Sequence, residues 1–161
     1  MGLFDKFKKK GIIIAAPIKG TCVSISEVSD PTFGQEILGK GVAIIPEDGK
    51  VYAPADGTIT TMFPTGHAVG MTTSDGVEIL IHVGLDTVAL KGDGFHIIAK
   101  EEQTVQKGDL LIEADLEKIK AAGYDVITPV VICNTDDYSE VIGLSGKSVN
   151  VGDDIIEIKE K

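Results

Sequence analysis

The sequence predicts an all-β fold, a single-domain β-sandwich with one or two short helical turns, and three observations lead there. Apolar runs are short and broken by turn residues, with 19 Gly and 6 Pro among 161 residues. One stretch, Val77-Glu78-Ile79-Leu80-Ile81-His82-Val83, alternates strictly, as a strand with one face in a core should. Two motifs each occur twice, which points to a duplicated β architecture whose spacing is too irregular for a solenoid. The length suits one domain with a sizeable core. Residues 1–10 read as a flexible tail and 11–161 as the domain, with no internal linker.

The tail, MGLFDKFKKK, places Leu3, Phe4 and Phe7 on one helical face among lysines. A fraying terminus is the plain reading, and a weak membrane-surface contact the sharper one. Ile12-Ile13-Ile14 then leads through Ala16-Pro17-Ile18-Lys19-Gly20-Thr21 into Val23 and Ile25. Later, Val51-Tyr52 leads through Ala53-Pro54-Ala55-Asp56-Gly57-Thr58 into Ile59. Both are strand, Ala-Pro-x-x-Gly-Thr turn, strand. Asp30 before Pro31 is a helix-start signal, followed by Phe33, Ile37 and Leu38. Val105 to Glu113 and Val149 to Glu157 each run through a Gly-Asp turn, Gly108-Asp109 and Gly152-Asp153, into an apolar strand. Asp115 is placed to cap a helix over Leu116 to Ala122, with Gly123 ending it. Greek-key-like crossings would join these strands into the sandwich.

His67-Ala68-Val69-Gly70-Met71-Thr72-Thr73 reads as a strand joined to the alternating one by Ser74-Asp75-Gly76. With Asp75-Gly76 as a two-residue loop, Val69 falls opposite His82 and His67 opposite Gly84. His67, Val69 and Met71 then share a face with Leu80 and His82. The two histidines become diagonal neighbours, with Cβ atoms about 7–8 Å apart. A three-residue loop would shift the register by one and turn His67 to the other face.

The formal net charge of −10 argues against nucleic acid and favours a basic partner or simple solubility. Cys22 and Cys133 lack metal-ligand spacing and read as reduced core thiols in a cytosolic protein. No apolar run approaches the ~18 residues of a membrane span.

Two imidazoles on one exposed face support phosphoryl chemistry. Neutral imidazole has an unprotonated ring nitrogen at physiological pH, its reference pKa being ~6.5. That nitrogen can attack phosphorus, and the resulting N–P bond is labile enough to pass the group on. The second imidazole can donate to the phosphoryl oxygens as charge builds. His82 is the candidate nucleophile and His67 its helper. The Gly84 carbonyl is placed to hold the other ring nitrogen of His82, and the Thr65 hydroxyl to orient His67. Leu80, with Phe33 and Leu38, would form an apolar collar. Asp30 and Asp86 would form an acidic rim for a basic partner. His96 has no such neighbour and reads as structural or surface, and Glu78 as a solvated strand residue.

At these residues the chain resembles a known family. Ile81-His82-Val83-Gly84-Leu85-Asp86-Thr87-Val88-Ala89-Leu90-Lys91-Gly92 is similar to the phosphorylation-site signature of the glucose-type enzyme IIA of the bacterial sugar phosphotransferase system. The resemblance runs from about Ile12 to Lys159 and includes the Ala-Pro motifs and the Gly66-His67 loop. It implies the duplicated hybrid-motif β-sandwich. It also implies that His82 takes a phosphoryl group on Nε2 from the phosphocarrier HPr and passes it to a cysteine on the IIB domain of a sugar permease. His67 matches the unphosphorylated second histidine, and Thr65 the threonine that supports it. Asp30 and Asp86 match acidic residues near the site. Phe33 and Leu38 match the apolar docking surface for HPr and IIB, and Leu80 and Val88 are further partner-binding candidates. The resemblance further implies a cytoplasmic monomer with no required cofactor. In some members the two histidines share a zinc ion with a carboxylate from a bound target enzyme. Apart from the resemblance, a phosphorylation-dependent charge change on a docking face is a natural switch, so a regulatory role is expected as an added one. Leu80 and Val83 stand where some members carry Phe.

Two other classes share parts of this pattern. A zinc hydrolase on a similar sandwich needs a third ligand, and Met71 stands where its Asp would be. A biotinyl or lipoyl carrier presents a lysine at a hairpin tip, and Asp75-Gly76 has none.

Overall fold

The computed structural model describes residues 11–161. The expectations for the tail, including its apolar stripe, lie outside the described residues. Fourteen strands are described: β1 (Ile12–Ala15), β2 (Gly20–Ser24), β3 (Lys40–Pro46), β4 (Lys50–Tyr52), β5 (Gly57–Met62), β6 (Ala68–Thr73), β7 (Glu78–His82), β8 (Phe95–Ile97), β9 (Thr104–Val105), β10 (Leu110–Ala114), β11 (Thr128–Ile132), β12 (Tyr138–Gly143), β13 (Lys147–Val149) and β14 (Asp154–Glu160). The fold is all-β, as expected, with two short helices, α1 (Pro31–Gly34) and α2 (Leu116–Ala121). Their caps follow the sequence: the Asp30 carboxylate accepts from Thr32 N at 3.0 Å, and that of Asp115 from Lys118 N at 3.1 Å.

An eight-stranded sheet, ordered β13-β2-β3-β11-β7-β6-β5-β9, packs against two three-stranded sheets, β1-β14-β12 and β4-β10-β8. The large sheet is a palindrome. β13, β2, β3 and β11 on one side correspond to β9, β5, β6 and β7 on the other. The small sheets correspond in the same way. Strands β4 to β10 thus form one unit, inserted between β3 and β11 of the other. This insertion is why the repeats looked irregular in sequence.

The repeated motifs make matching hydrogen bonds. Ala15 N donates to Pro54 O at 3.1 Å and Tyr52 N to Pro17 O at 2.8 Å, so the two Ala-Pro turns grip each other. Ala16 N donates to Asp153 O and Ala53 N to Asp109 O, at 2.7 and 2.8 Å. Each Gly-Asp turn is closed alike, with Asp109 Oδ2 accepting from Gln106 N and Asp153 Oδ2 from Asn150 N, both at 2.8 Å. Gly108 and Gly152 take the positive φ that the turn needs, +93° and +97°.

The main core lies between the sheets. Val42, Ile44, Val69, Met71, Ile79, Ile81, Val130 and Ile132 from the large sheet meet Ile14, Val51, Leu111, Ile112 and Ile156 from the small ones. The alternate residues of the central strands point to the outer face. There Ala43, Val131 and Leu80 pack with Ile25, Val28, Phe33, Leu85 and Ile127 into a second, smaller cluster. Strand β11 is therefore buried on both faces, which explains its unbroken apolar run. Cys22 is a core residue, but Cys133 is exposed, contrary to expectation. It follows the last residue of β11, and the outer cluster stops at Val131 and Leu80.

Gly20 and Gly57 occupy the same position in the two Ala-Pro turns. A Cβ at Gly20 would sit 2.0 Å from Ile45 O, and at Gly57 2.2 Å from Thr72 O. Backbone must move to admit one. Gly57→Ala is therefore expected to cost about 2 kcal/mol and lower Tm by roughly 4–8 °C, read by thermal denaturation. An unchanged Tm would contradict this packing.

Candidate functional site

The β6–β7 hairpin carries both histidines, but in a register that differs from the two-residue reading. Thr73 N donates to Val77 O at 2.9 Å, so the loop is three residues, Ser74-Asp75-Gly76. The turn is held open by neighbours. Ser74 N donates to Asp56 O, while the Asn134 side chain accepts from Glu78 N and donates to Gly76 O. Ala68 therefore faces His82, and Val69 and Met71 face Ile81 and Ile79 in the main core. The expectation that Val69 and Met71 share the face of His82 is corrected.

The histidines nonetheless meet. His67 lies just before β6, after Gly66 at φ +73°, where strand alternation no longer sets side-chain direction. Its carbonyl still accepts from Val83 N at 2.7 Å, which fixes its height beside the end of β7. Gly66 N donates to Phe63 O at 2.7 Å, closing the turn that aims the ring. A Cβ on Gly66 would press within 2.9–3.0 Å of Ile97 and Phe95. The two imidazole centroids are 4.9 Å apart, at an interplanar angle of 79°.

Each ring is held through Nδ1. His82 Nδ1 lies 2.7 Å from Gly84 O. A carbonyl only accepts, so Nδ1 carries the proton and Nε2 keeps its lone pair. His67 Nδ1 is bonded to the Thr65 hydroxyl. Phe33 stands 5.0 Å from His82 and Phe63 5.2 Å from His67, centroid to centroid. His67 is 4% exposed, whereas His82 is half-buried and reachable.

The surroundings divide into an apolar dish and an acidic rim. Phe33 and Leu85 are buried beside half-buried Leu80. Leu38 and Val88 are exposed further out, at 39% and 54%. Asp30 and Asp86 both favour the charged form of His82, but burial outweighs them and its pKa is lowered. Burial, then the neighbouring His82, push His67 down to about 4. Both rings are therefore neutral at pH 7. His96 is exposed on β8, opposite Glu113 and outside the site, and Glu78 is exposed as expected. Among the described residues no group of three His, Cys, Asp or Glu could hold a metal ion, so the zinc-hydrolase reading lacks its third ligand.

Sequence reading missed Phe63, Thr87 and the backbone of Asp125. Phe63 had a local signal, an aromatic heading the Pro64-Thr65-Gly66-His67 turn. Thr87 is fully buried and donates to Val83 O at 2.5 Å. Asp125 O accepts from Leu85 N at 3.0 Å, a long-range contact with no local signature.

A histidine whose folded pKa is depressed binds its proton more readily in the unfolded chain. Stability contributed by neutral His67 is complete above about pH 6.5 and lost as pH falls toward about 4. The slope is at most about 1.4 kcal/mol per pH unit for this one group. Denaturant titrations between pH 7 and 4.5 should find a smaller loss in His67→Gln than in the wild type, and parallel losses would contradict neutral burial of His67.

Residues 12–138 match the family model described as phosphoenolpyruvate-dependent sugar phosphotransferase system, EIIA 1. The chain is 55% identical over 127 residues to the PTS system beta-glucoside-specific EIIBCA component of Bacillus subtilis; the match takes in 79% of this chain but only 21% of that longer protein. It is 44% identical over 155 residues to the PTS system glucose-specific EIIA component of Haemophilus influenzae, spanning 92% of this chain and 93% of that one. The solved glucose permease IIA from Mycoplasma capricolum superposes with a TM-score of 0.85 at 37% identity, over 94% of this chain and 97% of that one. The chain belongs to the EIIA 1 family of the phosphoenolpyruvate-dependent sugar phosphotransferase system.

Proposed function

We propose that the chain is a phosphoryl carrier that takes a phosphoryl group from phospho-HPr on His82 Nε2 and passes it to a cysteine of a sugar-permease IIB domain. One observation carries this reading: two neutral imidazoles 4.9 Å apart, one with Nδ1 bonded to a carbonyl, at the edge of an apolar dish. In the first transfer the donor's N–P bond breaks as the His82 Nε2–P bond forms. In the second, the His82 N–P bond breaks as a thiolate attacks phosphorus.

His67 supports both transfers. A neutral ring has one N–H, and a Thr65 hydroxyl donating to Nδ1 leaves that N–H on Nε2. The ring then donates to the phosphoryl oxygens, where negative charge grows in the transition state. Phe33, Leu80 and Leu85 exclude water from the N–P bond. Asp30 and Asp86 attract a basic docking surface, while Leu38 and Val88 give the partner apolar contact. Fusion of similar chains into EIIBCA proteins supports a IIB domain as acceptor.

The carrier works as a cytoplasmic monomer and needs no cofactor. A zinc ion shared with a bound target would require a ligand from that target. Phosphorylation adds negative charge to a docking face, so the same surface can report the phosphorylation state to regulatory targets. Among the described residues no helix is long and apolar enough to cross a membrane.

Incubation with phosphoenolpyruvate, enzyme I and HPr should give an acid-labile, alkali-stable adduct that mass spectrometry locates on His82. An adduct on His96, or none, would reject the reading. His67→Gln should still accept the group but pass it to IIB about 10²-fold more slowly. Onward transfer at the wild-type rate would remove His67 from the chemistry.

A further inference from the structure

We propose that Thr87 is a positioning residue for His82, acting through the backbone of Val83 and Gly84 to set which imidazole nitrogen is free to accept the phosphoryl group. This deepens the phosphoryl-acceptor reading and rests on it. The hydrogen bond that defines the His82 tautomer ends on the Gly84 carbonyl, at 2.7 Å. That carbonyl has to be held in place, because Gly84 has φ +77° and no side chain to lock it.

Thr87 supplies the hold through its hydroxyl and its methyl. Thr87 is wholly buried, and its Oγ1–H donates to the carbonyl of Val83, the residue joining His82 to Gly84, at 2.5 Å. Its methyl packs so closely on Gly84 that a Cβ there would lie 2.6 Å from Thr87 Cγ2. The same Cβ would lie 2.7 Å from Asp125 O, which accepts from Leu85 N at 3.0 Å. The threonine methyl and the Asp125 carbonyl therefore both close in on the Cα of Gly84. The threonine hydroxyl tethers the peptide just before it. Asp86, at φ +59°, turns the chain so that Thr87 returns beneath Val83.

The two contributions of Thr87, hydroxyl and methyl, separate by substitution. Thr87→Val keeps the shape and loses the hydroxyl. Thr87→Ser keeps the hydroxyl and loses the methyl. Thr87→Ala loses both and removes any overpacking. Long-range ¹H–¹⁵N correlation of the unphosphorylated protein at pH 7.5 reads the His82 tautomer directly, with no phosphodonor present. The wild type should be a single Nδ1–H tautomer. Thr87→Val should become a mixture of tautomers and accept phosphate from phospho-HPr at least tenfold more slowly. Thr87→Ser should recover the single tautomer and most of the rate. A folded Thr87→Val or Thr87→Ala protein that keeps the wild-type tautomer overturns the proposal. So does a case where neither folds while Thr87→Ser does, since the hydroxyl would then be needed for folding alone. Failure of the wild type to accept phosphate would reject the carrier reading while leaving the tautomer result intact.

Discussion

The hydrogen bond between His82 Nδ1 and the Gly84 carbonyl governs the site. It converts an otherwise ambiguous imidazole into one with its lone pair on Nε2, on the side away from its own backbone. Burial lowers the pKa of His82, and Asp30 and Asp86 oppose this without restoring the charge. His67 is pressed further down, to about 4, by burial and then by His82 itself. Two imidazoles this close cannot both be cationic at modest cost, and the pair resolves the conflict by staying neutral.

The fold makes this arrangement by duplication and insertion. The large sheet has two apolar faces in its middle because β11, β3 and β7 each send alternate residues to opposite sides. One face is closed by the two small sheets. The other is only partly closed, by α1, the Ile25 turn and Leu85, and the open remainder is the dish. The equivalent position in the other unit has no histidine: Lys40 pairs with Ile132 where Ala68 pairs with His82. Duplication thus supplies the scaffold, and one unit alone carries the paired histidines.

Much of this was legible in the chain. The strict alternation from Val77 to Val83 correctly divides core from outer face, and the Ala-Pro and Gly-Asp repeats mark elements that prove equivalent in space. Asp30 and Asp115 cap the helices they precede. The hairpin register was not legible, because Asp-Gly favours a two-residue turn locally while Asp56 and Asn134, distant in sequence, hold a three-residue one. The convergence of His67 with His82 therefore holds for a different reason from the one read in the sequence. It comes from the Gly66 turn at the strand's edge rather than from a shared strand face. The exposure of Cys133 depends on where the outer cluster stops, and the Asp125 contact spans 40 residues. Neither leaves a local pattern.

The most direct test is to assign the protons on both histidine rings of the unmodified wild-type protein at neutral pH by long-range ¹H–¹⁵N NMR. The Gly84 carbonyl requires Nδ1–H on His82, and the donor role proposed for His67 requires Nε2–H on that ring, with neither ring cationic. Matching tautomers, or a protonated ring at pH 7, would contradict this.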